Sequence, residues 1–313
     1  MDGEDVSNKA ANKATVFMSA KSDVIFKLFF GDERNRSFLI RFLQAVLRLP
    51  LDEYTDIQIS DPHLKREYPG DKLAILDVRV KTKTGKWINI EIQLQITPEM
   101  RERIVLYTSK MTATQIGSGD DYDTIKQVIT IIITGEVLMP EHNEYHDTFT
   151  YYSYKTKTQF TDLTEIHTLE LPKLPKESDG TDLYDWLGFI NADSEEELTV
   201  LAQKSPEMKA PIEKLLDLNQ DVEARMLFEA REKQRRDNMS RERRARLEGL
   251  ETGLKEGLKE GLKEGREEGQ DKGRKDVARN LLEMKFPIDD IVKATGLSQE
   301  EIENLSKVQS IIS

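Results

Sequence analysis

The sequence predicts an α/β protein, a mixed sheet flanked by helices and followed by a helical C-terminal extension with a long charged helix. Three observations carry this. "KQVITIIIT" at 126–134 is an almost unbroken β-branched run, the pattern of a central strand buried on both faces. "KLAILDVRVKT" (72–82) and "KWINIEIQLQ" (86–95) are two strand-like stretches, the second strictly alternating, separated by a glycine-containing turn. After the Pro, Lys and Gly cluster "LPKLPKESDG" (171–180), only helical patterns remain.

Taken in order, residues 1–18 are polar and expected to be disordered. They hold no apolar core of the kind a secretory signal needs. Ser22 is placed to cap a short helix through Phe30, with Gly31 as its stop. Asp32 should cap the next, "ERNRSFLIRFLQAVLRL", which Pro50 ends. Its Phe38, Leu39, Phe42, Ala45, Val46 and Leu49 recur at helical spacing. The strand pair follows. Thr97 before Pro98 then starts a helix running to about Ile116. Beyond the central strand, "TFTYYSY" and "IHTLEL" read as further strands, so the core spans 19–176. Three short helical patterns form a subdomain over 177–221. A long charged helix with glycine at every fourth residue covers 222–275, and a small helix-turn-helix-like unit covers 276–313.

Composition bounds the function. A chain of 313 residues allows one sizeable core plus accessory parts. No apolar run approaches the ~20 residues that span a bilayer. Cysteine is absent, which excludes disulfides and thiolate catalysis and is compatible with a cytoplasmic protein. A net charge of -12 weighs against a broad nucleic-acid-binding surface but leaves room for local basic patches.

The hairpin carries the chemistry. With Lys83, Thr84 and Gly85 as a three-residue loop, Thr82 pairs with Lys86 and Asp77 falls opposite Glu91. Leu73, Ile75, Asp77 and Arg79 then share a face with Asn89, Glu91, Gln93 and Gln95. The two carboxylates would stand with Cβ atoms roughly 5 Å apart. They repel unless neutralised, and Mg²⁺ suits one or two carboxylates plus water and phosphate. The competing reading is a register slipped by one, with the acids facing solvent separately.

Several stretches in this order resemble the recombination-promoting nuclease and transposase family of the PD-(D/E)XK superfamily. They are "SDVIFKLFFGDERN", "LAILDVRVKTKTGKWINIEIQ", "RERIVLYTSKMTATQI", "IHTLELPK", "EGLKEGLKEGREEG" and "ARNLLEMKFPIDDIVKATGLSQEEIENL". The resemblance implies a restriction-endonuclease-like fold and DNA cleavage with Mg²⁺ or Mn²⁺, linked to recombination or mobile elements. It implies Asp77, Glu91 and the Ile92 backbone carbonyl as metal ligands. Gln93 stands where the superfamily usually has lysine. A neutral amide only hydrogen-bonds, so cleavage is expected to be slow or conditional. Asp23 matches a family acid near the metal, though an acid at a helix N-terminus is equally favoured by the dipole. Lys27 lies one turn later, and Tyr107 and Gln115 match recurrent positions one layer behind the site.

His142 and His146 in "HNEYH" lack the glutamate of a zinc helix and read as a surface loop. Gly249, Gly253, Gly257, Gly261, Gly265, Gly269 and Gly273 wind slowly round the long helix. They suit either a homodimer with close helix approach, as in a coiled coil, or a marginal spacer. Arg235, Arg236, Arg243 and Arg244 belong to the best basic stretch and are candidate DNA contacts, against a solvated charged helix. Ser298 and Glu301 form a capping box, and the two closing helices have helix-turn-helix spacing. Glu300, Glu301 and Glu303 make the second of them acidic, which favours a protein-contact or capping unit. The rival to an endonuclease is a nuclease-fold protein of weak or lost activity that binds DNA or assembles through its tail.

Overall fold

The computed structural model describes residues 16–60 and 78–312. The chain divides into two compact units, Met1–Lys233 and Gln234–Ser313.

In the first unit, the described residues hold one six-stranded sheet in the order β1-β2-β3-β4-β6-β5. The strands are β1 (Gln58–Ser60), β2 (Val78–Lys81), β3 (Trp87–Gln93), β4 (Val128–Thr134), β5 (His146–Tyr152) and β6 (Gln159–Glu170). β3, β4 and β6 run parallel, and the outer pairings are antiparallel. β4 is buried at all its positions, as its β-branched run predicts. On one face, Ile88, Ile90, Ile92, Ile129, Ile131 and Ile133 meet α1 (Asp23–Phe30), α2 (Arg36–Val46) and α4 (Asp182–Asn191). On the other lies α3 (Met100–Ala113), which buries Met100 and Ile104 against Ile132 and Leu138.

The helices α4, α5 (Glu195–Lys204) and α6 (Lys209–Gln220) share the core of the sheet rather than building their own. Trp186 of α4 sits 5.9 Å from Phe30 and 6.0 Å from Phe42, ring centre to ring centre. Each such fully buried large side chain contributes about 1.5–3 kcal/mol. Asn219 of α6 closes the unit, since its Oδ1 accepts from the Met18 N–H at 2.8 Å and its Nδ2 donates to the Met18 carbonyl at 3.1 Å.

Some boundaries differ from expectation. Asp32 caps a 3-10 turn, Glu33–Asn35, accepting from the Arg34 N–H at 2.9 Å. The Asn35 amide donates to the Phe29 carbonyl at 2.9 Å, which ties this turn to α1 and delays α2 to Arg36. α2 ends at Val46 because Leu47 is already extended. α3 begins at Met100 rather than Pro98, after a turn in which the Met100 N–H reaches the Thr97 carbonyl. It stops at Ala113, short of Ile116. β1 has three residues, too few to show a period in sequence.

The hairpin has the expected register. Val78 pairs with Ile90 and Lys81 with Trp87, the Thr82 N–H donates to the Lys86 carbonyl at 2.9 Å, and Gly85 has φ +91°. Only glycine adopts that φ without strain. Asp77, the acid expected opposite Glu91, lies outside the described residues.

α7 (Val222–Glu283) begins in the first unit; in the second it runs on past Lys275, and its end packs with α8 (Ile288–Thr295) and α9 (Gln299–Ile312). Ala278, Ile291, Leu297 and Ile302 form the small core. Gly296 ends α8 at φ +69°, and the capping box is reciprocal, since the Ser298 N–H donates to Glu301 at 2.8 Å and the Glu301 N–H to Ser298 at 3.3 Å. No helix among the described residues is long and apolar enough to cross a membrane.

Candidate active site

The polar face of β3 is not a solvent face. Asn89 is 1% exposed and Glu91 6%. Their neighbours in register are Thr130 and Ile132 of β4, while Gln93 lies beside Thr134, which lies beside Glu170 of β6. α3 approaches this face, where Thr108 and Thr130 share a hydroxyl hydrogen bond of 2.8 Å. A row of polar side chains is thus held between sheet and helix.

Such burial is expensive for a carboxylate unless it is partnered. The Asn89 amide donates to Glu91 Oε1 at 2.9 Å. That leaves Asn89 Oδ1 buried with no hydrogen-bond partner among the described residues, and Thr134 Oγ1 likewise. The donors on this stretch are all oxygens: the Glu91 carboxylate, the Ile92 carbonyl and the Gln93 amide oxygen. Hard divalent cations take oxygen ligands, so the residues fit Mg²⁺ or Mn²⁺. Among the described residues, no three His, Cys, Asp or Glu converge on one metal position.

The other expected site residues are distributed as follows. Asp23 opens α1, where its Oδ1 accepts from the Val24 N–H at 3.0 Å and its Oδ2 from Arg231 Nε of α7 at 2.7 Å. The structure therefore joins Asp23 to Arg231. Lys27 is half-buried one turn later. Tyr107 packs with Met111, Val128 and Trp87, and the Arg103 guanidinium stacks on its ring at 5.3 Å. Gln115 is bound to the Lys126 backbone in both directions at 3.0 Å, at the hairpin end of the sheet rather than behind Glu91. Arg235, Arg236, Arg243 and Arg244 are exposed on α7, and Arg244 lies 3.9 Å from Glu248.

His146 is not in a surface loop. It opens β5, and its Nε2 lies 2.9 Å from His167 Nδ1. His167 Nε2 is 2.6 Å from Glu165 Oε1, and Glu165 Oε2 accepts from Gln127 at 3.2 Å. Burial, and then the facing His167, push His146 down to about 4. Against burial, Glu165 is held below the usual carboxylate range chiefly by its bond to His167. His142 keeps to itself beside Asp147, at 3.2 Å.

Two buried acids escaped the sequence reading. Glu170 is 0% exposed; it accepts from the Leu138 and Met139 N–H groups at 2.8 and 3.2 Å and pairs with Lys173 at 2.9 Å. It anchors the loop after β4. Glu53 accepts from the Thr82 and Thr84 hydroxyls at 2.7 Å and locks the hairpin turn. Burial opposes its charge, but those hydrogen bonds prevail and hold its carboxyl below the usual range. Glu170 sits in the quoted stretch "IHTLELPK", which was the one available signal; nothing in sequence marks Glu53.

A search of curated proteins found no match, and neither did a search of solved structures. Residues 272–307 match the family described as "Rpn/YhgA-like nuclease family, C-terminal HTH domain", which adds a helix-turn-helix likeness to the acidic pair α8 and α9. Residues 20–245 match the family described as "PD-(D/E)XK nuclease family transposase", which covers the sheet, α1 to α6 and the buried Glu91 row. A match over more than half of the chain means that this protein belongs to the PD-(D/E)XK nuclease family transposases.

Proposed function

We propose that the protein is a metal-dependent DNA endonuclease that hydrolyses phosphodiester bonds, in a role tied to recombination or mobile elements. The observation that carries the reading is the buried Glu91 carboxylate, which accepts from Asn89, while Asn89 Oδ1 is buried with no hydrogen-bond partner among the described residues. Glu91, the Ile92 carbonyl and Asp77 would hold Mg²⁺ or Mn²⁺. When bound, such an ion supplies an acidified water and offsets charge on the phosphate. Asn89 fixes the Glu91 oxygens before substrate arrives. Gln93, at the open end of β3, orients the attacking water by hydrogen bonds alone, so the rate is low. Asp23 would approach the ion through water. DNA is the proposed partner, with a homodimer through α7 and the cytoplasm as the compartment.

One observation favours the rival reading of a latent, interaction-type protein: Arg231 occupies Asp23. The deciding experiment incubates the full chain with supercoiled plasmid and Mg²⁺ or Mn²⁺, beside Asp77→Ala, Glu91→Ala and an EDTA control. Nicking that needs both acids and the metal is expected. A wild type that cuts no DNA form under any of these metals would leave the latent reading standing.

A further inference from the structure

At the hairpin end of the sheet the first unit opens a polar cleft of about 520 Å³. Lys81, Lys83 and Lys126 line it, with Thr84, Trp87 and Gln115. All three lysines are exposed. Among the described residues none of their ammonium groups has a carboxylate partner. The one acid of the lining, Asp56, stands 3.8 Å from Arg36, and the nearby Glu53 is committed to Thr82 and Thr84. A chain of net charge -12 thus keeps a local excess of positive charge in a concave place.

The lysines converge. A Cβ added at Gly85 would stand 3.5 Å from Lys126 Cγ and 3.7 Å from Lys81 Cε, so the two stems meet over the one residue of the turn that has no side chain. Their backbones are fixed, because Glu53 ties down the turn and Gln115 binds Lys126 at both its N–H and carbonyl. The pairing also fixes the direction in which they point. Lys81 pairs with Trp87, and Val128 lies beside Trp87, two residues after Lys126. By strand alternation, Lys81, Trp87 and Lys126 share the face of Asn89 and Glu91. Trp87 and Glu91 are four residue steps apart along β3, which is ~13 Å at ~3.3 Å per residue. A bound strand follows a winding backbone, so a cleft at this distance lies within a few nucleotides of Glu91.

We propose that this cleft is a phosphate subsite that grips the backbone of the nucleic acid a few nucleotides from the scissile bond. Lys81, Lys83 and Lys126 each neutralise a phosphate. The proposal rests on the nuclease reading for its substrate, but it concerns grip and not hydrolysis.

The test measures fluorescence anisotropy of a labelled duplex in EDTA, where nothing is cut, across a salt series. Wild type is compared with the triple variant Lys81→Ala, Lys83→Ala, Lys126→Ala. A control of equal charge change replaces the exposed Lys176, Lys204 and Lys209. Three lost contacts should make the slope of log affinity against log salt shallower by about 2–3, at ~0.9 per phosphate. The triple variant should bind at least tenfold more weakly at low salt, and the control within about threefold of wild type. Equal losses in both variants, unchanged slopes, or no DNA binding by wild type would overturn the subsite. So would ATP or pyrophosphate binding that depends on these lysines while duplex binding does not. Plasmid cleavage is followed separately. Wild type that binds through the lysines but never cuts defeats the hydrolysis reading alone, and wild type that cuts while the triple variant binds unchanged defeats the subsite alone.

Discussion

Glu91 and Gln93 sit two residues apart on one face of β3 yet have different tasks. Glu91 is buried and bound to Asn89, and Gln93 is half-buried at the strand end. Glu91→Gln keeps the shape and removes the charge, so metal-dependent nicking should fall by at least ~10²-fold, with Asn89 still packed. Gln93→Lys restores a cation where only an amide now stands, and a plasmid time course should show cleavage roughly tenfold faster. Asp23 gives a sharper distinction. If it serves the reaction, Arg231→Ala frees it, and single-turnover cleavage rises several-fold; an unchanged rate would assign the pair to holding α7 against α1. His146 titrates far below an ordinary histidine, at about 4. Its folded pKa is depressed, so the stability it contributes is full above ~6.5 and is lost as pH falls from there towards 4. His167, Asp147, Arg48 and Glu165 set its field. Thermal melts between pH 7 and 4 should fall more steeply for wild type than for His146→Gln.

At the scale of elements, the hairpin was legible because its signals are local. A glycine at the last loop position and a strict alternation fix register within twenty residues, and Val78 does lie opposite Ile90. The β4 run was legible for the same reason. What failed was whatever depends on distant partners. β5 keeps the expected length but starts two residues earlier, at His146, and β6 runs to twelve residues because its outer end, from Gln159, pairs only with β5 and is exposed. The His146–His167 contact joins residues 21 apart across that pairing, so "HNEYH" looked like a loop. The burial of Asn89 and Glu91 likewise depends on α3 folding back, which alternation cannot reveal. Gln115 is placed by the stretch that follows α3, where it bonds Lys126 instead of a site.

At the scale of the whole molecule, the two units differ in what supports them. The first has a deep core; the second has a few apolar side chains at its end and, before them, a helix whose glycines meet nothing within 4 Å among the described residues. Gly→Ala at Gly253, Gly257 and Gly261 together decides between spacer and dimer. A lone helix should gain up to ~1 kcal/mol per site in helix stability, read by circular dichroism. A helix that packs glycine to glycine on a second copy should instead lose its dimer in sedimentation runs.

The clasp between Met18 and Asn219 has a consequence for how the protein comes into being. Its two ends are separated by 201 residues. β6 joins the parallel centre of the sheet only once β3 and β4 have been made, and the clasp waits for α6. A chain growing from the ribosome therefore cannot complete this unit until more than two-thirds of it has been translated. Fragments released before β6 would lack a finished sheet, and those released between β6 and α6 would have the strands without the clasp that closes the unit.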